Sequence, residues 1–371
     1  MEIYNVDTQQ DLKRFIQLPY RLYHTDPLWV PPLRSEQWAQ FDPRKNPMLD
    51  HCDTQLFLLK DGNKVIGRCS AFIDHLAVDY WGKSIGLFGS FECINDEKAA
   101  AMLLGTARDW LIQKGMTAMR GPWSFASQEW GLELEGGGRQ PVIMAPHNPP
   151  YYADFFDRFG LQKAMDLLAY LADMSSGYEI PERFLTLTDR IRERYGVTVR
   201  PVDMKFIERD VMTIVELSNR SISENWGYYP VTEDEARAMA RDLRQIVNPD
   251  ALLIAEDAEG NPIGFGLSLP DVNTLLKGLN GRLFPFGWLK MLFGLKRIRQ
   301  YRMWALGVVP EYHGKAIDTL LYKATHDALK DIKVCMEINY VLENNDRMNN
   351  ALLKLEVTPI RRYRVYEMAI G

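Results

Sequence analysis

Apolar residues recur at helical spacing behind Thr8 in TQQDLKRFIQLPYRLY, and they gather into two short runs on either side of KDGNK in TQLFLLKDGNKVIGRCSAFID. The first pattern predicts a capped helix and the second an antiparallel hairpin. IGLFGSFEC then predicts a strand. Asn95 and Asp96 mark the start of a helix over EKAAAMLLGTARDWLIQKG, and the apolar run MTAMRGPWSF predicts one more short strand.

The same order returns further on. FIERDVMTIVELSNRSI and TEDEARAMARDLRQIV predict helices, and EDAEGN joins two strands within ALLIAEDAEGNPIGFGLSLP. Strand YRMWALGVV, helix IDTLLYKATHDALKDI, strand VCMEINYVL and helix RMNNALLKL complete the series. Each half therefore reads helix, hairpin, strand, helix, strand. This is an α/β plan of mixed sheets flanked by helices, present twice. It predicts two domains, residues 1–175 and 185–371, separated within SSGYEIPERF.

A length of 371 residues agrees with two domains, and 46% hydrophobic and 25% charged content describes an ordinary globular chain. The net charge of -5 supplies no field that gathers nucleic acid. Four widely spaced cysteines without a CxxC pair argue against zinc and against a disulfide framework, and point to a reducing, cytoplasmic compartment. The first residues hold no apolar core behind a basic start, and no later run reaches about 18 apolar residues. The expectation is neither export nor a membrane span.

The chemistry concentrates in VVPEYHGKAIDTLL, Val308 to Leu321. Pro310 ends a strand, Gly314 lets backbone approach a ligand, and a helix begins near Ala316 with free N–H groups at its positive end. By itself a lone Gly in such a turn reads first as a corner. Its setting in the second of two similar halves adds weight to a phosphate cradle.

From Val197 onward, and more weakly before it, the order of elements around PEYHGKA and NNDRMNNALLKL resembles the GNAT superfamily of acyl-CoA-dependent N-acyltransferases. The family's loop of Gln or Arg, two residues, Gly, one residue, Gly or Ala falls on Glu311, Gly314 and Ala316. The acid at the first position departs from that pattern and would repel a pyrophosphate, with Lys315 as partial compensation. The resemblance implies that the backbone of Val308 and Val309 splays from its neighbour, pairs with pantetheine and offers an N–H to the thioester oxygen. It implies further that His313, Gly314, Lys315, Ala316 and Ile317 surround the pyrophosphate of acyl-CoA, a co-substrate, with no metal. The family's thiol-protonating tyrosine falls on Leu352 and is missing. Tyr322, Tyr340 and Tyr363 are the substitutes, Tyr340 being the one taken as catalytic. In the first half the counterpart loop, FECINDEKAAAMLL, carries Glu92, Asp96 and Glu97 and no glycine, so that half reads as a degenerate copy.

For the acceptor side, SISENWGYYP offers Glu224, Trp226 and Tyr228, and LPDVN offers Asp271 and Asn273. Glu224 and Asp271 are candidate bases for an amine, though by residue type and position Glu224 reads first as a cap or ion-pair partner and Asp271 as a turn. Residues 282–302 hold six basic residues and no acid. Phe284, Phe286, Trp288, Leu289, Leu292, Phe293 and Leu295 form an apolar side, and Lys290, Lys296, Arg297, Arg299 and Arg302 a cationic one. This segment suits contact with the inner face of a membrane, a tunnel for an acyl chain, or plain core between domains.

NWGYYP, PDVN, the basic apolar segment and RRYRVYEMAI narrow the resemblance to bacterial GNAT-type ceramide synthases. That implies transfer of a fatty acyl group from acyl-CoA, or from acyl carrier protein, to the amine of a long-chain base. An acetyltransferase acting on a small-molecule or protein amine, an aminoacyl transferase using aminoacyl-tRNA, and an inactive scaffold are the other readings.

Overall fold

In the computed structural model, which describes residues 1–124, 129–136 and 138–371, the chain opens with β1 (Glu2–Asn5) and α1 (Gln9–Leu22). The helix starts where Thr8 Oγ1 accepts the Asp11 N–H at 3.1 Å. Then come α2 (Arg34–Gln40), the hairpin β2 (Cys52–Asp61) and β3 (Lys64–Asp74), α3 (His75–Trp81) and β4 (Ile85–Cys93). Asp96 caps α4 (Glu97–Gln113), which is followed by β5 (Ala118–Gly121), β6 (Leu132–Glu135), α5 (Tyr151–Phe159) and β7 (Gln162–Asp173). The run MTAMRGPWSF supplies β5, and its last residue, Phe125, lies outside the described residues.

The later part comprises α6 (Glu182–Tyr195), β8 (Thr198–Pro201), α7 (Ile207–Ser221) and α8 (Glu233–Leu243), the last held by a capping box of Thr232 and Glu235. After β9 (Leu252–Glu256) and β10 (Pro262–Pro270) come two short helices, α9 (Asn273–Leu276) and α10 (Gly287–Gly294). The chain ends with β11 (Gln300–Val308), α11 (Ile317–Leu329), β12 (Cys335–Leu342), α12 (Asp346–Lys354) and β13 (Thr358–Ala369). The α/β class expected from the pattern holds. Among the described residues no helix is long and apolar enough to cross a membrane.

Two compact units form, and they are not the two halves of the chain. The first takes residues 1–167, 275–290 and 361–371; the second takes 168–274 and 291–360. In the first, the strand order is β1-β2-β3-β4-β5-β13, antiparallel except for the parallel pair β4–β5. Leu103, Leu104 and Leu111 of α4 are fully buried against Phe57, Leu59, Cys69 and Phe88 of the sheet. Each such leucine contributes about 2 kcal/mol by leaving water.

In the second unit the order is β8-β9-β10-β11-β12-β7, again antiparallel from β8 to β11 with β11–β12 parallel. Each unit therefore closes with a strand from the other half of the chain: residues 361–369 stand beside β5, and residues 168–173 beside β12. A division at residues 175–185 misses this. Strand edges must be paired, and side-chain charge selects the partner.

In the first unit that selection is visible. Arg364 binds Asp166 through two hydrogen bonds, Nε to Oδ1 at 2.7 Å and Nη2 to Oδ2 at 2.9 Å, and Arg362 Nη1 adds a third at 3.1 Å. Arg120 Nε reaches Glu367 at 2.7 Å across β5–β13. Arg361, fully buried at its side chain, pairs with Glu133 and donates to the carbonyls of Arg139 and Gln140. Burial pushes the Asp166 carboxyl up, but the Arg364 and Arg362 guanidinium groups and Lys163 outweigh it and hold it below the usual carboxylate range.

A carboxyl depressed in the folded state stabilises fully above its unfolded pKa of about 4, and that contribution is lost as pH falls through the folded value. Asp166→Asn is expected to lower the unfolding free energy at neutral pH by about 2 kcal/mol in urea melts. The deficit should shrink toward zero as melts are repeated below about pH 4, and a deficit independent of pH would show that the charge is not what holds β13.

Candidate active site

The second unit contains a break in its sheet. β11 and β12 are paired only from Gln300↔Cys335 to Met303↔Ile338, whereas β11 stays paired to β10 as far as Val308. A β-bulge, with Leu267 opposite Ala305 and Ser268 opposite Met303, leaves Trp304 as the extra residue at the point of parting. From Trp304 onward, one edge of β11 faces an opening bounded by the end of β12. Backbone groups on such an edge need partners, and an extended ligand supplies them.

The stretch of β11 without a β12 partner runs from Trp304 toward the expected Val308 and Val309. Val309 is engaged within the chain: its N–H donates to Ile263 O at 2.9 Å, and its carbonyl accepts the Tyr312 N–H at 3.0 Å. That bond to Ile263 turns the Val308 main chain to the parted side, where His313 Nε2–H donates to Val308 O at 2.8 Å. The parted edge therefore starts at Trp304 and reaches Val308, with His313 holding its far end.

The loop beyond keeps its expected shape. Gly314 has φ +77°, a left-handed conformation that a side chain would strain, and Ala316 stands at φ +57° as the residue before α11. The N–H groups of Gly314, Ala316, Ile317 and Asp318 carry no hydrogen bond to the chain among the described residues. Lys315 does not reach outward as a free cation. Its Nζ sits 4.1 Å from the Tyr312 ring centroid and 5.6 Å from that of Tyr195. The charge on Glu311 is also engaged: its own backbone N–H and then the Arg220 guanidinium, 3.2 Å away, hold its carboxyl below the ordinary range.

Behind the opening lies a polar group that sequence inspection did not single out. A Cβ on Gly307 would stand 2.3 Å from Ser221 Oγ, so that residue faces α7. Register and alternation place Arg302, Glu337 and Asn339 on this face too, Arg302 directly opposite Glu337. All three are buried, Arg302 completely, and Asn339 Nδ2 donates to Glu337 Oε1 at 3.1 Å. The Arg302 guanidinium lies 4.9 Å from the ring centroid of Tyr340. A cation and a carboxylate inside apolar strands, YRMWALG and VCMEINYVL, are the signal that was available in the sequence.

The other expected residues scatter. Trp226 and the buried Tyr228 follow α7, where Tyr228 OH donates to Asn219 Oδ1 at 2.6 Å. Glu224 is exposed in the same turn. Asp271 is buried, follows Pro270 opposite Tyr301, and its Oδ1 accepts the Asn273 N–H at 3.1 Å, the arrangement of a turn. Phe286 and Trp288 belong to the first unit and are exposed.

Arg302, assigned to a cationic outer face by its place in the basic segment, is instead core, because β11 begins at Gln300. Among the substitute tyrosines, Tyr322 is buried with its hydroxyl against Met348 Sδ and its pKa pushed up by that burial. Tyr363 pairs with Glu133 in the first unit. Leu352 is fully buried in α12, but a tyrosine from the first half of the chain reaches that helix: Tyr170 OH donates to Asn349 Oδ1 at 2.8 Å.

The first unit shows the same parting and a different outcome. β4 and β5 pair only from Ile85↔Ala118 to Leu87↔Arg120, yet the chain fills the gap itself, with the Trp123 N–H donating to Phe88 O at 2.8 Å. At the end of β4, Tyr152 OH accepts the Cys93 N–H at 2.7 Å, and Glu92, half-buried and with its carboxyl pushed up by desolvation, receives the Tyr23 and Tyr152 hydroxyls. Cys52 of this unit lies with His51 and Asp74, the candidate ligand atoms all within 4.8 Å. There His51 Nδ1–H donates to Asp74 Oδ1 at 3.0 Å, and the same oxygen caps α3 through the Ala77 N–H.

An antiparallel run ending in a parallel pair that parts, built twice in one chain and followed by a glycine turn in the second unit, is the plan of a tandem GNAT fold. Comparison agrees. A tandem GNAT protein from the clavulanic acid biosynthesis pathway superposes with a TM-score of 0.60 at 13% identity, over 100% of this chain and 98% of that one. The chain is 36% identical over 370 residues to Protein YghO of Escherichia coli (strain K12), covering 98% of this chain and 94% of the relative. It is 34% identical over 382 aligned positions to the bacterial ceramide synthase of Caulobacter vibrioides (strain NA1000 / CB15N), covering 100% and 98%. No model of a described protein family matches it. The chain has the tandem GNAT fold and belongs to the family of these two bacterial proteins.

Because Arg220 already binds Glu311, removing the acid both deletes a negative charge and releases a cation beside the loop. Glu311→Gln is expected to tighten binding of free CoA about two- to fivefold by calorimetry, with a larger gain at low salt. Weaker binding would mean that Glu311 contacts the ligand directly.

Proposed function

We propose that this enzyme transfers a fatty acyl group from acyl-CoA to the amine of a lipid such as a sphingoid base, the amine attacking the thioester directly. The observation that carries this reading is the parted edge at Trp304 to Val308, continuous with the Gly314–Ala316 turn and backed by buried Glu337. The name of the Caulobacter relative supports the lipid acceptor.

In this reading the pantetheine arm pairs with β11, while the free N–H groups at Gly314, Ala316 and Ile317 meet the pyrophosphate. Trp226 and Tyr228 line the acceptor side, on the face of α7. Glu337, held by Asn339, takes one proton from the acceptor ammonium, directly or through one water, in preference to exposed Glu224 and turn-forming Asp271. The amine nitrogen then forms a bond to the thioester carbon, the C–S bond breaks, the nitrogen gives up its second proton to solvent as the amide forms, and the thiolate receives a proton. Tyr340, beneath Arg302, and Tyr170, at α12, are the hydroxyls offered for that last step. The first half of the chain serves as scaffold: main-chain groups left by its own parted strands are taken up by Trp123 and Tyr152.

The test is product analysis by mass spectrometry with acyl-CoA donors from acetyl to stearoyl, offered with a sphingoid base or with polar amines. Long-chain amide of the sphingoid base is the expected product, and turnover confined to acetyl-CoA with polar amines would end the lipid reading. Glu337→Gln is expected to lower kcat at least a hundredfold while CoA affinity stays within about twofold. A variant that loses CoA binding instead would make Glu337 a structural residue.

A further inference from the structure

Outside the acyl-transfer site, the first unit carries a cavity of about 450 Å³ lined by Gln17, Tyr20, Arg21, His24, Arg34 and Arg282. Three guanidinium groups and a histidine converge there, and no carboxylate lines it. Arg34 lies flat over the Tyr20 ring, 3.9 Å from its centroid, while Tyr20 OH donates to Pro32 O at 2.6 Å. Arg34 Nε and N–H are tied to the carbonyls of Asn280 and Gly281, which brings the segment carrying Arg282 to the cavity wall. Gly281, at φ +70° and with Pro32 O 2.6 Å from where a Cβ would stand, makes that approach possible. The Arg282 guanidinium is exposed and has no hydrogen-bond or ion-pair partner among the described residues.

Two residues beyond Arg282 the chain turns apolar and stays in water. Phe284 is 79% exposed, Phe286 74% and Trp288 45%. Trp288 Nε1–H donates to Pro285 O at 2.9 Å, and Lys290 Nζ to Lys277 O at 2.9 Å, so the tip is held in shape while its aromatic faces point to solvent. From Lys277 to Lys290 there are three basic residues and no acid.

We propose that this cavity binds the phosphate of an anionic phospholipid in a bilayer, with Phe284 and Phe286 inserted beside the headgroup. A soluble phosphate ligand accounts for the arginines but leaves two exposed phenylalanines next to them without a role. A purely apolar partner leaves the guanidinium groups facing hydrocarbon without counter-charge, at high cost. A surface that is anionic at headgroup level and apolar a few ångströms below matches both parts in their observed order. The proposal is independent of the acyl acceptor, because membrane contact is read without turnover.

The full-length protein is sedimented with vesicles of pure phosphatidylcholine and of phosphatidylcholine containing about one third phosphatidylglycerol. Co-sedimentation with the mixed vesicles alone is expected. Arg282→Gln should weaken it about fivefold, and Phe284→Ser with Phe286→Ser at least tenfold. These residues are exposed, so an unchanged thermal midpoint will show that folding is intact. Equal binding to pure phosphatidylcholine, or binding unchanged in both variants, overturns the proposal. So does protection of the protein by inorganic phosphate in a thermal shift without any vesicle binding, which would mark a site for a soluble phosphate ligand.

Discussion

Everything at the proposed site depends on where two parallel strands stop bonding. β11 and β12 separate after Met303, because the bulge at Trp304 turns the rest of β11 toward β10 alone. A sheet that opens in its interior exposes main-chain donors and acceptors that the fold does not satisfy. Only a ligand that is itself extended and polar along its length can satisfy them. Under the proposed function, this unpaired edge orients the extended arm of the donor, ahead of any side chain.

The first unit shows what happens when that opening is closed from within. Its parallel strands part after Leu87, but the Trp123 N–H meets Phe88 O and the Tyr152 hydroxyl meets the Cys93 N–H. The contrast explains how one architecture built twice serves two ends. Polar burial differs accordingly. In the first unit the Glu92 carboxyl accepts the hydroxyls of Tyr23 and Tyr152, whereas in the second the buried Glu337 is held by the Asn339 amide opposite Arg302.

Local signals were legible wherever the physics is local. Thr8 and Asp96 each cap a helix as their positions predict, because an N-cap hydrogen bond spans three residues. The Gly314–Ala316 turn was legible for the same reason. Arg302 was not: counted by neighbours in sequence it belongs to a basic stretch, and only the start of β11 at Gln300 turns it into the core. Glu337 and Asn339 were passed over within a run that otherwise reads as an apolar strand, since their importance lies in what stands across from them. The exchange of terminal strands was equally hidden, for strand partners distant in sequence are chosen by edges and charges that meet only in space. Asp166 and Arg364 are the example.

The amino-acid sequence by itself determined the α/β class, the repeated order of elements, the glycine turn before α11 and the basic, aromatic tip around Phe286. All of these follow from periodicity, capping and backbone conformation over a few residues. Tertiary structure alone decided that the open edge starts at Trp304, that Arg302 faces Glu337, that Tyr170 reaches α12, and that Arg21, Arg34 and Arg282 surround one cavity. Each of these joins residues separated in the chain, and such contacts are set by register, burial and charge balance, which a one-dimensional pattern does not contain.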